Sequence, residues 1–359
     1  MTLLYYYEVL ERIRSVSIVV ELLDGSLSSW DAFYDSKSHI LTVSVGDEQI
    51  AIELSDEIPE LSKDDLRLCT KQNKQTLVMR LPMDGAGKFN RDFNELMSLS
   101  THYKWDAKFL ASSSFQLHCR DCDSPILDSD DISSLNEMPS ELWAEMMDFW
   151  HCHKPHDENG HGHIAHDNTK YTSLKPIKNG VLVGTFYLAF NSNDNLFKVR
   201  MDHGSCVCAE CGSPLGNHDN GTGLDKINKW RVVLSRDKAR DTYHVYDYVY
   251  SSLLDNVNAS AARVVEYTDG TSSLLVWVFN TNISYKINEH APEEGMKLYY
   301  TTDPEDIARE REARGEFEVI DVDSTILKGT VHHLDDVNNT LPPSIRNMST
   351  WRLSLLHCI

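Results

Sequence analysis

Apolar and polar residues alternate with a period of two through the first third of the chain. Residues 15–23 read Ser-Val-Ser-Ile-Val-Val-Glu-Leu-Leu and stop at Asp24-Gly25, a turn signal. Residues 39–45 alternate in the same way, and Val45-Gly-Asp47 turns into 49–54. Residues 75–81 predict one more strand, and the apolar start Met1-Thr-Leu-Leu-Tyr-Tyr-Tyr-Glu suits a first strand or helix. Short strands at this spacing predict an antiparallel sheet or a sandwich.

Past Ser112 the pattern changes. An acidic Ser/Asp run at 128–134 precedes a dense apolar stripe at 140–152. There Leu142, Met146 and Trp150 recur at i, i+4 and i+8, with Trp143 and Met147 beside them, which predicts an amphipathic helix. Ser140 is placed to cap it, and Glu141 and Glu145 complement the helix dipole. A His-rich segment with His156, His161, His163 and His166 follows in a Gly/Asp/Asn-rich loop. Residues 180–191 and 195–201 predict a strand pair, and 241–255 a helix. Residues 263–267 and 273–280 flank Thr268-Asp-Gly-Thr271, which predicts a hairpin. A short strand at 297–300, a charged helix at 304–314 capped by Asp303, and an apolar segment at 351–359 complete the reading. No internal repeat stands out. The fold class expected is α+β, predominantly antiparallel β with a few helices. Three segments are expected: a β-rich N-terminal domain at 1–115, a middle segment at 116–175, and a C-terminal α+β domain at 176–359.

The formal charge is −21. A surface this acidic is repelled by phosphate backbones, so no direct nucleic-acid contact is expected. It suits a solvated surface or a basic protein partner. No apolar run is long enough to span a membrane, and the N-terminus lacks a basic leader region, so no membrane association is expected. Without a secretory signal, the eight cysteines point to metal rather than disulfides, and to a nuclear and cytoplasmic protein.

Four of those cysteines form two C-x-x-C units, Cys119-Arg-Asp-Cys122 and Cys208-Ala-Glu-Cys211. Each unit can present two thiolates to one Zn²⁺ at about 2.3 Å, and two units supply the four ligands of a closed, structural site. Gly212 after the second unit suits the tight turn required. The expectation is two β-rich lobes stapled by a split four-cysteine zinc site. Cys206 or His118 could replace a ligand, and buried free thiols or a redox pair are the alternatives.

Cys152 is a separate question. It stands between His151 and His153, at the end of the 140–152 stripe and before Lys154-Pro155. The helix C-terminus is the negative end of the dipole, so the backbone does not activate this thiol as a nucleophile. A metal brought from outside would deprotonate it outright. No G-x-S-x-G, H-E-x-x-H or P-loop is present.

The segment from Pro139 through Trp150-His-Cys-His-Lys154, with its flanking C-x-x-C pairs, resembles the HECT-like family of ubiquitin-conjugating-enzyme-binding proteins, and within it a fungal branch tied to polyadenylation. The resemblance implies ubiquitin-protein ligase activity and a ubiquitin-conjugating enzyme as partner. It also implies association with the metallo-β-lactamase-type endonuclease of pre-mRNA 3′-end cleavage and polyadenylation. Leu341-Pro-Pro-Ser is similar to the Leu-Pro segment near a HECT end, where a cysteine normally accepts ubiquitin as a thioester. Here the only cysteine after Cys211 is Cys358. The leading expectation is therefore a regulator that presents Trp150, His151, Cys152, His153 and Lys154 to the endonuclease's zinc site. The alternative is a ligase with Cys152 or Cys358 as thioester acceptor, or one that only scaffolds transfer.

Overall fold

In the computed structural model the described residues are 3–27, 29–84, 103–138, 175–194, 196–315 and 317–357. The expected stripe at 140–152, the His-rich loop and Cys358 lie outside them. The chain divides into two compact units, Met1–Ser100 with Asn256–Cys358, and Thr101–Asp255. The architecture is α+β and mostly antiparallel β, as the alternation predicts.

The first unit is built on a ten-stranded sheet. Its main path runs Asn347–Met348, Trp351–His357, Glu293–Thr301, Ser273–Ile287, Leu3–Leu10, Ser15–Leu22, Thr76–Pro82 and Thr70–Gln72. Val264–Thr268 pairs with Ser273–Ile287 through the hairpin read from Asp269-Gly270, and Glu318–Asp321 adds to it in parallel. Ser15–Leu22 is buried at all eight positions, which is why it reads as a β-branched run with weak alternation. Val16, Ile18, Val20 and Leu22 enter a core shared with Ala32, Tyr34, Leu41, Val43 and Ile52. The latter belong to a separate sheet of Trp30–Asp35, Ile40–Val45 and Glu48–Glu53, so the two sheets pack as the sandwich expected.

The second unit holds two sheets. Four strands run in the order Ala239–Thr242, Val232–Arg236, Gln116–Cys119, Pro125–Asp128. Seven run Ser134–Glu137, Gly180–Val183, Tyr187–Phe190, Leu224–Asn228, Pro214–Asp219, Ser205–Cys208, Val199–Asp202.

Several expectations change. The units do not follow the divisions at 115/116 and 175/176, because Leu3–Leu10 pairs with Ser273–Ile287 (Tyr6 opposite Ile287), which puts N- and C-terminal strands in one sheet. The stretch 180–191 breaks into two strands at Gly184, where an added Cβ would lie 2.6 Å from the Tyr187 ring. Its expected partner is replaced: Tyr187–Phe190 pairs with Leu224–Asn228, and Val199–Asp202 with Ser205–Cys208. Residues 241–255 do hold a helix, Val245–Ser260, and Pro304–Arg314 is capped by Asp303 as read. The 17-residue helix Ser324–Thr340 is not evident in the pattern. Its Gly329 and its β-branched Thr325, Ile326, Thr330 and Val331 weaken the local helix signal, while Leu327, Leu334 and the Asp323 cap hold it in place.

Candidate metal centre and family membership

The two C-x-x-C units are the turns of two β-hairpins in the second unit. Gln116–Cys119 pairs with Pro125–Asp128, and Ser205–Cys208 with Pro214–Asp219; each ladder shifts register beside its turn. The local chemistry repeats. The sequence is Cys-x-acid-Cys-x-Ser-Pro-aliphatic in both, over 119–126 and 208–215. The N–H of the first cysteine donates to the serine carbonyl, at 2.8 Å from Cys119 to Ser124 and 2.9 Å from Cys208 to Ser213. The residue after the second cysteine takes a left-handed backbone, φ 63° at Asp123 and 74° at Gly212. This short repeat is present in the sequence but escapes a search for periods, because two eight-residue copies 89 positions apart give none.

The four thiols converge. Their Sγ atoms all lie within 4.8 Å of one another, with Cys119 to Cys211 and Cys122 to Cys208 each at 3.8 Å. A tetrahedron with bonds of about 2.3 Å has edges of about 3.8 Å, so these separations fit a Zn²⁺-sized ion held by four thiolates. Cys119 and Cys208 are buried, while Cys122 and Cys211 are exposed. Burial pushes the Cys119 thiol up to about 12, against the N–H groups of Cys122 and Asp121. Burial also opposes the Cys208 thiolate, but the N–H groups of Cys211 and Glu210 and the Ser124 hydroxyl outweigh it and bring the thiol down to about 6. The Ser213 hydroxyl and N–H lower Cys211. Thiolates are thus supported at one end of the cluster and resisted at the other, a conflict that a bound cation removes. Ser124 Oγ lies 3.2 Å from Cys122 Sγ and 3.3 Å from Cys208 Sγ, so it ties one hairpin to the other.

The neighbours expected as substitutes point elsewhere. His118 Nδ1 lies 3.2 Å from the Asp123 carbonyl oxygen. The Cys206 thiol is fully buried and donates to Met201 Sδ at 3.5 Å, and burial pushes it up to about 12. Among the described residues, the group that could hold a metal ion is Cys119, Cys122, Cys208 and Cys211. All four lie within Thr101–Asp255, so the site joins the four-stranded to the seven-stranded sheet of one unit and does not staple two lobes. Trp150, His151, Cys152, His153 and Lys154 lie outside the described residues.

Two supports of this unit carried no sequence signal. Arg240 grips the Asp123 carboxylate with both guanidinium nitrogens, pinning the first turn and holding that carboxyl below its usual range. Lys229 is completely buried, and its Nζ donates to the carbonyls of Trp105 (3.0 Å), Lys104 (3.1 Å) and Thr185 (3.1 Å). Burial pulls its pKa down to about 7.

Two fungal proteins are similar to this chain. One, an uncharacterised protein of Saccharomyces cerevisiae, is 30% identical over 361 residues, covering 98% of each chain. Another, an uncharacterised protein of Schizosaccharomyces pombe, is 22% identical over 254 residues, covering 67% of this chain and 72% of its own. No solved structure matches. The description HECT-like Ubiquitin-conjugating enzyme (E2)-binding matches residues 8–353. That span takes in the end of the first strand, both cysteine hairpins and the Leu341-Pro-Pro-Ser segment, so the chain belongs to the HECT-like ubiquitin-conjugating-enzyme-binding family.

Proposed function

We propose that this protein binds a ubiquitin-conjugating enzyme and acts in ubiquitin transfer, with its second unit held together by a structural zinc ion. The family match over residues 8–353 carries the reading. The closed donor set of four cysteines supports the zinc, since four thiolates leave no position open for substrate. Neither C-x-x-C pair is then available as a ubiquitin acceptor. Binding of the purified protein to a panel of ubiquitin-conjugating enzymes tests the main reading. A ubiquitin adduct sensitive to reducing agent, formed from the charged enzyme and lost in Cys152→Ala or Cys358→Ala, would identify an acceptor thiol.

A second reading keeps the protein as a regulator of the polyadenylation endonuclease, with Cys152 presented to that enzyme's zinc. It rests on the sequence, where Cys152 stands between His151 and His153 and outside both C-x-x-C units. Unchanged endonuclease binding by Cys152→Ala would remove this reading.

A further inference from the structure

The two cysteine turns are copies, but their serines are not used alike. Ser124 and Ser213 stand at the same place, two residues after the second cysteine of each pair. The carbonyl of each accepts the N–H of the first cysteine of its own turn. Each hydroxyl also lies 3.2 Å from the Sγ of the second cysteine, Ser124 from Cys122 and Ser213 from Cys211. There the likeness ends. Ser124 Oγ lies 3.3 Å from Cys208 Sγ as well, 84 positions along the chain and in the other hairpin. Among the described residues the Ser213 hydroxyl reaches no sulfur of the first hairpin.

Burial decides how much each hydroxyl matters. Cys122 and Cys211 are exposed, while Cys208 is buried. A sulfur that faces solvent finds water when a side-chain donor is removed. A buried sulfur does not, and a hydrogen bond left unmade there costs the full desolvation of the group. A serine hydroxyl carries one proton, so it donates to one sulfur at a time. Exposed Cys122 has water as a second source, which leaves the Ser124 proton to Cys208. Ser124 also crosses between the hairpins without being a ligand itself, so its contact does not depend on an ion. Groups of this kind orient the ligands that touch a metal and set their affinity for it.

We infer that Ser124 is a positioning residue of the metal centre. Its hydroxyl bridges Cys122 and Cys208, holds the two hairpins at the spacing of a four-thiolate site, and donates to the buried Cys208 sulfur. Ser213, at the same place in the copy, serves its own turn alone. The inference rests on the proposed zinc site.

The test uses the full chain, stripped of metal and titrated with zinc in competition with a chromogenic chelator. A parallel titration with Co²⁺ reads the thiolate-to-metal charge-transfer band. Ser124→Ala is expected to weaken zinc binding about tenfold or more. It should also move the cobalt band to longer wavelength, because a sulfur that loses a hydrogen-bond donor gives up electron density more easily. Ser213→Ala is expected to weaken zinc binding by no more than about threefold, since water replaces the lost donor at an exposed sulfur. The two variants remove the same group from the same turn, so a role in the turn alone would affect both alike. Equal losses in the two overturn the inference, and so does a parent-like affinity and cobalt band in Ser124→Ala; either result leaves the zinc site standing. If the parent chain binds no zinc, the zinc site fails and the inference fails with it.

Discussion

Asp123 and Gly212 occupy the same place in two copies of one turn. Each follows the second cysteine of its pair, each has a left-handed backbone, and each donates its N–H to the carbonyl of the first cysteine, at 2.9 Å and 3.0 Å. The turn needs a positive φ, and the two copies meet that need differently. Glycine adopts it without a Cβ penalty. Asp tolerates it, and Arg240 holds that Asp in place. Space is not the constraint at Gly212, where an added Cβ would meet only Arg200 Nη2 at 3.5 Å. Gly212→Val is therefore expected to cost about 1–2 kcal/mol through backbone strain, and Gly212→Asn only a few tenths. Thermal unfolding of the three proteins checks the order.

Metal removal is expected to act on the second unit. One zinc per chain should be found by mass spectrometry, released by a strong chelator, and absent from Cys208→Ser. Cys206→Ser should retain it, since that thiol points at Met201. Metal binding and folding are coupled in such sites, so chelation should open 101–255 to hydrogen exchange. Retention of zinc by Cys208→Ser would show that the four-cysteine assignment is wrong.

Lys229 donates to three converging carbonyls. Lys229→Met keeps much of the side-chain volume but leaves those oxygens without it. A loss of about 3 kcal/mol is expected. Urea denaturation of the two proteins, followed by circular dichroism, measures the loss.

Asp219 stabilises its hairpin as an anion. The Lys226 ammonium, 2.7 Å away, is the main cause that lowers its pKa from 3.8 to about 2. The folded value lies below the unfolded one, so the contribution is full above pH 3.8 and is lost as pH falls towards 2. With the side chain a quarter exposed, about 1–2 kcal/mol is expected at neutral pH. Asp219→Asn keeps an oxygen for the N–H groups of Gly221 and Thr222 but removes the charge. Its melting temperature should fall below the parent's at pH 7, and the gap should narrow by pH 3. A gap independent of pH would mean that charge is not what holds this hairpin.

Much of this molecule was legible locally. Alternation placed Ile40–Val45 and Glu48–Glu53, Asp269-Gly270 placed a hairpin, Asp303 placed a helix start, and two C-x-x-C spacings named the four thiols. In each case the relevant interaction spans only a few residues, so the chain records it within a short window. The helix Ser324–Thr340 was harder, since its polar buried positions Thr330 and Asn338 interrupt an apolar stripe. Asn338 answers to partners outside the helix, donating to the carbonyls of Arg346 and Leu353.

What the sequence by itself determined is where several strands and turns lie and which cysteines form pairs, because backbone propensity and ligand spacing act over one turn or one hairpin. Only the tertiary structure decided which distant segments meet. It paired Leu3–Leu10 with Ser273–Ile287, it turned Cys206 to Met201 and Cys208 to the other cysteine hairpin, and it put Phe279 on a bulge whose extra residue is visible only against its partner strand. Register between strands hundreds of residues apart is set by the packing of whole faces, and a shift of one residue would send every side chain to the other side of the sheet.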